Sequence, residues 1–234
     1  MPRMATLDVT GGPMPLYVSE FEREGPAPAV VVMHHRPGID AFTVDRCDRL
    51  AAEGILAVAP DLYHRQAVGV PTQEAKDHLE DDEIAADIGA ALAFLEADPR
   101  VDPARIGIIG HCQGGRTALV GLVTHPAFRA GVLYYGGRAF KALGGDGVAP
   151  ADKVANIRCP VAGFFGNLDG NPSPEDVDRL SAIMDKAGVK HVFHRYDGAG
   201  HGFQDHTAPK RYHESSAKDA WARTLDFLRR ELAP

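Results

Sequence analysis

The chain has 234 residues, 44% of them hydrophobic and 24% charged, which are ordinary values for a globular protein. Its net charge is -7 and its basic residues are scattered, which argues against nucleic-acid binding and against a basic membrane-binding surface. No run of about 18 apolar residues predicts a membrane-spanning helix, and no apolar signal-peptide core is present at the start, so we expect a cytoplasmic protein. Three cysteines without C-x-x-C spacing argue against a disulfide framework and a structural zinc site.

The first half of the chain predicts an edge hairpin followed by strands that alternate with helices. Residues 5–21 have the pattern of two short antiparallel strands around Gly11-Gly12-Pro13. The next predicted elements are, in order, a buried strand at 28–34, a helix at 41–53 that stops at Gly54, a buried strand at 55–60 and a helix at 74–97. In that last helix the polar half is predicted to carry Glu80, Asp81, Asp82 and Glu83. Residues 98–103 are predicted as a turn.

The second half continues the alternation. The pattern predicts a strand at 106–109, a helix at 112–125, a strand at 131–136, a Gly-rich connection at 137–156, a strand at 159–166, a helix at 173–187, a strand at 191–196 and a helix at 213–232. Such alternation predicts an α/β fold in which helices cover both faces of a mostly parallel sheet. Without an internal repeat or a linker, residues 1–234 are expected to form one domain. Sites in such sheets lie at the carboxyl ends of the strands.

The stretch Gly110-His111-Cys112-Gln113-Gly114 follows a predicted strand and opens a predicted helix. It has the form of the G-x-S-x-G nucleophile elbow, with cysteine in place of serine. Glycine is needed at both ends because a Cβ there would collide with backbone in so sharp a turn. The positive end of the helix dipole points at the sulfur and is expected to lower the thiol pKa. The backbone N–H groups of Gln113 and of Arg36, in the loop after the strand at 28–34, are the predicted oxyanion donors.

Cys112, Asp169 and His201 each follow a different predicted strand. A thiol nucleophile needs a base to take its proton, and that histidine needs an acid that fixes its tautomer. The order nucleophile, acid, base is that of the α/β-hydrolase fold, a three-layer sandwich, which is therefore the predicted fold. Taken alone, Asp169 would fit a turn or a helix cap equally well. Cys47 and Cys159 are predicted to be packed thiols, and the pair His34-His35 lacks a third ligand for a metal.

Five motifs together make the sequence resemble the dienelactone hydrolase family, small α/β-hydrolases with a cysteine nucleophile. They are Gly110-His111-Cys112-Gln113-Gly114-Gly115, Ala59-Pro60-Asp61-Leu62-Tyr63-His64-Arg65-Gln66, Tyr134-Tyr135-Gly136, Gly166-Asn167-Leu168-Asp169 and Gly200-His201-Gly202-Phe203. The resemblance implies a catalytic triad of Cys112, Asp169 and His201. It also implies that the enzyme hydrolyses a small-molecule ester or lactone through a thioester acyl-enzyme and needs no cofactor.

The sequence departs from the family pattern at two positions. His35 stands where the family has a glutamate that helps to form the thiolate when substrate binds. We therefore expect activation mainly by His201 and the helix dipole, with His35 lining the site and hydrogen-bonding either the sulfur or the substrate. Tyr135, at the end of another strand, is also expected to contact the substrate. The family holds a substrate carboxylate with two arginines; Arg65 matches the first, but Asp205 replaces the second. This exchange disfavours an anionic substrate. Arg65 is expected either to pair with Asp205 or to have a structural role in its loop.

Several other functions remain open at this point. A general short-chain carboxylesterase or thioesterase would use the same residues. A non-catalytic binding protein of this fold would not need all three triad residues, and a redox-sensing thiol would need a resolving cysteine. A peptidase is possible on the same fold, although a chain of this length lacks an extra domain to position peptides. The sequence leaves the oligomeric state open, and a monomer is one of the alternatives.

Overall fold

The computed structural model describes residues 3–19, 21, 25–67, 74, 76–144 and 147–234, and within them eight strands form one sheet. The strands are β1 (Arg3–Val9), β2 (Gly12–Val18), β3 (Ala27–Met33), β4 (Leu56–Pro60), β5 (Val101–His111), β6 (Ala130–Tyr134), β7 (Val161–Gly166) and β8 (His191–Tyr196). Their order across the sheet is β1-β2-β4-β3-β5-β6-β7-β8. The predicted edge hairpin is confirmed: β1 and β2 are antiparallel, β2 pairs antiparallel with β4, and all other neighbouring strands are parallel.

Helices connect the parallel strands. They are α1 (Ala41–Ala52), α2 (Asp81–Glu96), α3 (Gln113–Thr124), α4 (Pro174–Lys186) and α5 (Glu214–Glu231), with short 3-10 segments at Lys76–His78 and Pro150–Asn156. Local signals set several of their ends. The Asp40 side chain accepts the N–H of Thr43 at the start of α1, and Ser173 forms a capping box at the start of α4. Among the described helices, none is long and apolar enough to cross a membrane.

Two hydrophobic cores lie on opposite faces of the sheet because side chains alternate along each strand. From β3, Val31 packs into the core that α2, α3 and α4 cover, whereas Val30 and Val32 pack into the core that α1 and α5 cover. The central strands β3, β4 and β6 are buried along their whole length. The predicted three-layer α/β sandwich is therefore confirmed.

Two predicted boundaries were wrong. Helix α2 begins at Asp81 rather than at 74, because Glu80 has an extended backbone; residues 71–73 and 75 lie outside the described part of the chain. Asp81 is also buried instead of lying on the polar face, since its carboxylate pairs with Arg116 of α3. The predicted turn at 98–103 overlaps β5, because Val101 already pairs with Ala27 of β3.

Candidate active site

The nucleophile elbow joins β5 to α3, and its geometry follows from two glycines. Cys112 has a φ of 56°, in the left-handed region that L-residues rarely adopt. A Cβ on Gly110 would clash with the carbonyl of Gly114, and a Cβ on Gly114 would clash with the carbonyl of Met33. Glycine at 110 therefore allows the sharp turn from β5 into α3, and glycine at 114 allows α3 to approach the end of β3, which leaves the Cys112 side chain at the apex.

The structure brings Cys112, His201 and Asp169 into one hydrogen-bonded chain. His201 Nε2 lies 2.9 Å from Cys112 Sγ, and His201 Nδ1 lies 2.8 Å from Asp169 Oδ2. The other carboxylate oxygen, Oδ1, accepts the N–H of Asn171 at 2.8 Å, which fixes the orientation of the Asp169 side chain. The ring of Tyr135 packs edge-on against His201, with the centroids 5.3 Å apart.

The electrostatics of this chain favour a thiolate next to an imidazolium. Burial acts to raise the pKa of Cys112, but the hydrogen bond to His201, its positive charge, the N–H of Gln113 and the charge of Arg36 outweigh burial and lower that pKa. Burial acts to lower the pKa of His201, but its hydrogen bonds to Asp169 and Cys112 raise it to about 10. Proton transfer from sulfur to imidazole is therefore favoured before any substrate binds.

The two predicted oxyanion donors lie on either side of Tyr63, a residue to which the sequence analysis gave no role. The Gln113 side chain donates to Tyr63 Oη at 3.0 Å, and Tyr63 Oη donates to the carbonyl of Arg36 at 2.9 Å. Burial raises the pKa of Tyr63 to about 12, so it keeps its proton as a donor. Within the described residues, the Arg36 N–H donates to no backbone carbonyl. In the sequence, a role for Tyr63 was indicated only by its position in the motif that contains Arg65.

The two positions that depart from the family pattern are neighbours. His35 is buried; its Nε2 lies 2.9 Å from Asp40 Oδ1 and its Nδ1 lies 4.0 Å from Asp205 Oδ2. Asp205 is buried as well and lies 3.2 Å from Nη2 of Arg211, a residue that the sequence analysis did not consider. Among the contacts of the described residues, His35 has none with the sulfur of Cys112.

The predicted pairing of Arg65 with Asp205 is wrong. Arg65 instead binds the carboxylate of Asp87 with both terminal nitrogens, at 2.6 and 2.8 Å, and donates to the carbonyl of Thr10 at 2.8 Å. Asp87 lies on α2 and is 1% exposed. Arg65 is absent from the described lining of the cavity at Cys112, so its predicted contact with substrate is not seen. Of the two roles foreseen for Arg65, these contacts support the structural one.

A cavity of about 560 Å³ opens at the sulfur, within the range of sites for small molecules. Its lining includes Cys112, His201, His35, Tyr135, Asp205 and Arg211. No group of three or more His, Cys, Asp or Glu side chains is arranged to hold a metal in the part of the chain that is described. Cys47 and Cys159 are both buried, and burial raises the pKa of each thiol, as expected of packed cysteines.

Comparison with known proteins identifies the family of this fold. The model of the dienelactone hydrolase family matches residues 14–232. A protein of Methylorubrum extorquens, named as a candidate carboxymethylenebutenolidase, is 33% identical over 230 residues, which are 93% of this chain and 77% of that protein. A Bradyrhizobium protein, named as a probable 2-oxo-3-(5-oxofuran-2-ylidene)propanoate lactonase, is 31% identical over 215 residues, 88% of this chain and 84% of that protein.

The structural comparison agrees with the sequence comparison. The crystal structure of a candidate dienelactone hydrolase from Klebsiella pneumoniae has a TM-score of 0.86 at 29% identity and covers 97% of this chain and 98% of that one. The family match, residues 14–232, spans the elbow, the strand ends and the His201 loop. The chain therefore belongs to the dienelactone hydrolase family, and it is an α/β-hydrolase-fold enzyme of the ester- and lactone-hydrolase class.

Proposed function

We propose that the protein hydrolyses small-molecule carboxylic esters or lactones with Cys112 as nucleophile, His201 as base and acid, and Asp169 as the group that orients His201. One observation carries this proposal: the three side chains form a continuous chain, with 2.9 Å from sulfur to imidazole and 2.8 Å from imidazole to carboxylate, at a cavity of substrate size. The residues 1–234 act as one domain in this proposal, in the reducing cytoplasm, where a reactive thiolate persists.

The reaction begins when the Cys112 thiolate attacks the carbonyl carbon of the substrate. The N–H groups of Gln113 and Arg36 stabilise the negative oxygen of the tetrahedral intermediate. As the C–O bond to the leaving alkoxide breaks, the His201 imidazolium gives its proton to that oxygen, and a thioester on Cys112 remains. With a lactone, the alcohol stays attached to the acyl group.

Water then hydrolyses the thioester. His201, now neutral, takes a proton from the attacking water, and the second tetrahedral intermediate expels the Cys112 thiolate. The carboxylic acid product leaves, and the imidazolium–thiolate pair is restored. Asp169 remains a carboxylate throughout and stabilises the imidazolium that forms in each half of the reaction.

The wall of the cavity that contains His35, Tyr135 and Asp205 is the proposed contact surface for the substrate. Because His35 lies beside the carboxylates of Asp40 and Asp205 and has no described contact with sulfur, we assign it to the substrate side of the reaction. Arg211 compensates part of the negative charge of Asp205 and is itself 53% exposed. The wall therefore repels an anionic substrate less than the exchange at Asp205 alone predicts.

A substrate panel tests the proposal: neutral short-chain p-nitrophenyl esters, a thioester, and lactones with and without a carboxylate. The wild-type protein is expected to hydrolyse the esters or the lactones, and Cys112→Ala is expected to lose that activity. Cys159→Ala removes a packed thiol elsewhere and serves as the matched control that keeps turnover. Turnover that persists in Cys112→Ala would overturn the proposal, and activity on the thioester alone would favour a thioesterase.

A further inference from the structure

A buried ion pair connects the nucleophile helix to the wall of the cavity. Arg116 lies on α3, one turn after Gln113, and its side chain is only 3% exposed. Its Nη1 lies 2.5 Å from Asp81 Oδ1, and its Nη2 lies 3.0 Å from Asp81 Oδ2. Arg116 also lines the cavity, but because the carboxylate of Asp81 compensates its charge, the ion pair as a whole is neutral toward a substrate anion.

The remaining donors of Arg116 hold the chain segment 138–144. Its Nε donates to the carbonyl of Arg138 at 3.3 Å, and its Nη2 donates to the carbonyl of Lys141 at 2.6 Å. Asp81 binds the same segment, because its N–H donates to the carbonyl of Leu143 at 2.7 Å and its carboxylate accepts the N–H of Leu143 at 3.0 Å. The segment is thus fastened from two sides, by α3 and by the first residue of α2.

Two leucines next to these hydrogen bonds line the cavity. Leu143, in the fastened segment, and Leu79, two residues before Asp81, both line the cavity that contains Cys112. Leu79 is buried against the core beneath α2 and α3, while Leu143 is half-buried. Both are tied to Asp81, Leu79 by its place in the chain and Leu143 by two hydrogen bonds, and the other described lining residues are mostly polar or charged. We therefore assign the two leucines to one apolar end of the cavity.

We propose that the apolar end formed by Leu79 and Leu143 binds an apolar substituent of the substrate, and that Arg116 is a positioning residue that fixes the shape of this end through Asp81 and the segment 138–144. The inference rests on the proposed ester or lactone hydrolysis and names its substrate class: compounds with an alkyl or similar apolar group on the acyl or ring portion. Burial of each methylene of such a group contributes to selectivity among esters.

The first test measures chain-length preference as the ratio of kcat/KM for p-nitrophenyl hexanoate to that for p-nitrophenyl acetate. Leu143→Trp fills the apolar end and is expected to lower the ratio at least about tenfold, since each excluded methylene alone is worth about tenfold or more. Val192→Trp, at an exposed position on β8, is the matched control and should keep the wild-type ratio. An unchanged ratio in Leu143→Trp would overturn the inference.

The second test addresses Arg116. Arg116→Met removes the bonds to Asp81, Arg138 and Lys141, and it is expected to raise KM for the hexanoate several-fold more than KM for the acetate. A purely structural role would lower kcat/KM for both esters by the same factor. If Arg116→Met does not fold, Asp81→Asn decides the question, because it keeps an acceptor for the Leu143 N–H but removes the ion pair.

The two proposals fail in different ways. Turnover that survives Cys112→Ala would refute the hydrolytic mechanism. Turnover that depends on Cys112 but keeps its chain-length ratio in Leu143→Trp would refute only the apolar end. Alkylation of Cys112 by iodoacetamide and by N-hexyl iodoacetamide gives a readout without turnover: Leu143→Trp should slow the hexyl reagent selectively.

Discussion

Replacing Arg65 by methionine separates a structural role from a substrate-binding role. The guanidinium is bound to the carboxylate of Asp87, which is 1% exposed, so the substitution leaves a buried charge without its main partner. Removing one partner of a buried ion pair costs about 3–5 kcal/mol. His64 Nε2 lies 3.2 Å from Asp87 and stays beside it in the variant, so the lower end of that range, about 3 kcal/mol, is expected.

The assay combines thermal unfolding with kinetics. For a chain of this size, about 3 kcal/mol corresponds to a fall in Tm of roughly 6–12 °C. The matched control is Arg229→Met, which breaks an exposed pair with Glu53 and should shift Tm by less than about 4 °C. Below its new Tm, Arg65→Met is expected to treat lactones with and without a carboxylate alike. A small Tm shift together with a selective loss of kcat/KM for carboxylate-bearing lactones would refute the structural role.

The other predictions concern the cavity. The rate of Cys112 alkylation should stay high as pH is lowered through 8 and should fall only when pH passes the lowered thiol pKa. A midpoint of this pH profile near the free-thiol pKa of about 8.5 would contradict the prediction. His35→Ala should leave the midpoint of the alkylation pH profile in place and change KM, whereas a shifted midpoint would indicate that His35 acts on the Cys112 sulfur. Tyr63→Phe loses both hydrogen bonds between the oxyanion segments and should lower kcat about tenfold or more with little change in the alkylation midpoint, which stopped-flow kinetics can check. Asp205→Arg should raise kcat/KM for carboxylate-bearing lactones relative to neutral p-nitrophenyl esters, and an unchanged ratio would count against a charge effect at this wall.

Much of the fold could be predicted because its signals are local. Continuous β-branched runs such as 28–34 predict strands buried on both faces, and the alternation with helices then restricts the topology to parallel crossovers. The elbow is local at Gly110, whose Cβ would meet the carbonyl of Gly114, whereas Gly114 is required by the approach of α3 to Met33 on β3, far away in the sequence. The order of Cys112, Asp169 and His201 predicted that they would meet at one edge of the sheet, and they are within hydrogen-bond distance.

The errors arose where a partner lies far away in the sequence. Asp81 looked like part of a solvated acidic run, but Arg116, 35 residues later, draws it into the interior. Arg65 found its partner in Asp87 because β1, β2 and α2 come together at that side of the sheet, which periodicity along the chain does not reveal. In both cases the residue type was a poor guide, since a charged side chain is buried only where tertiary packing supplies its counter-charge.

Mass spectrometry of the intact protein during turnover of p-nitrophenyl acetate tests the central claim most directly. With deacylation slowed by low temperature and rapid acid quench, the wild-type protein should carry one acetyl group, and peptide mapping should place it on Cys112 as a hydroxylamine-sensitive thioester. His201→Ala should greatly slow formation of the adduct, and Cys112→Ala should abolish both the adduct and turnover. An acetyl group on another residue, or turnover without a covalent adduct in any quenched sample, would contradict the account.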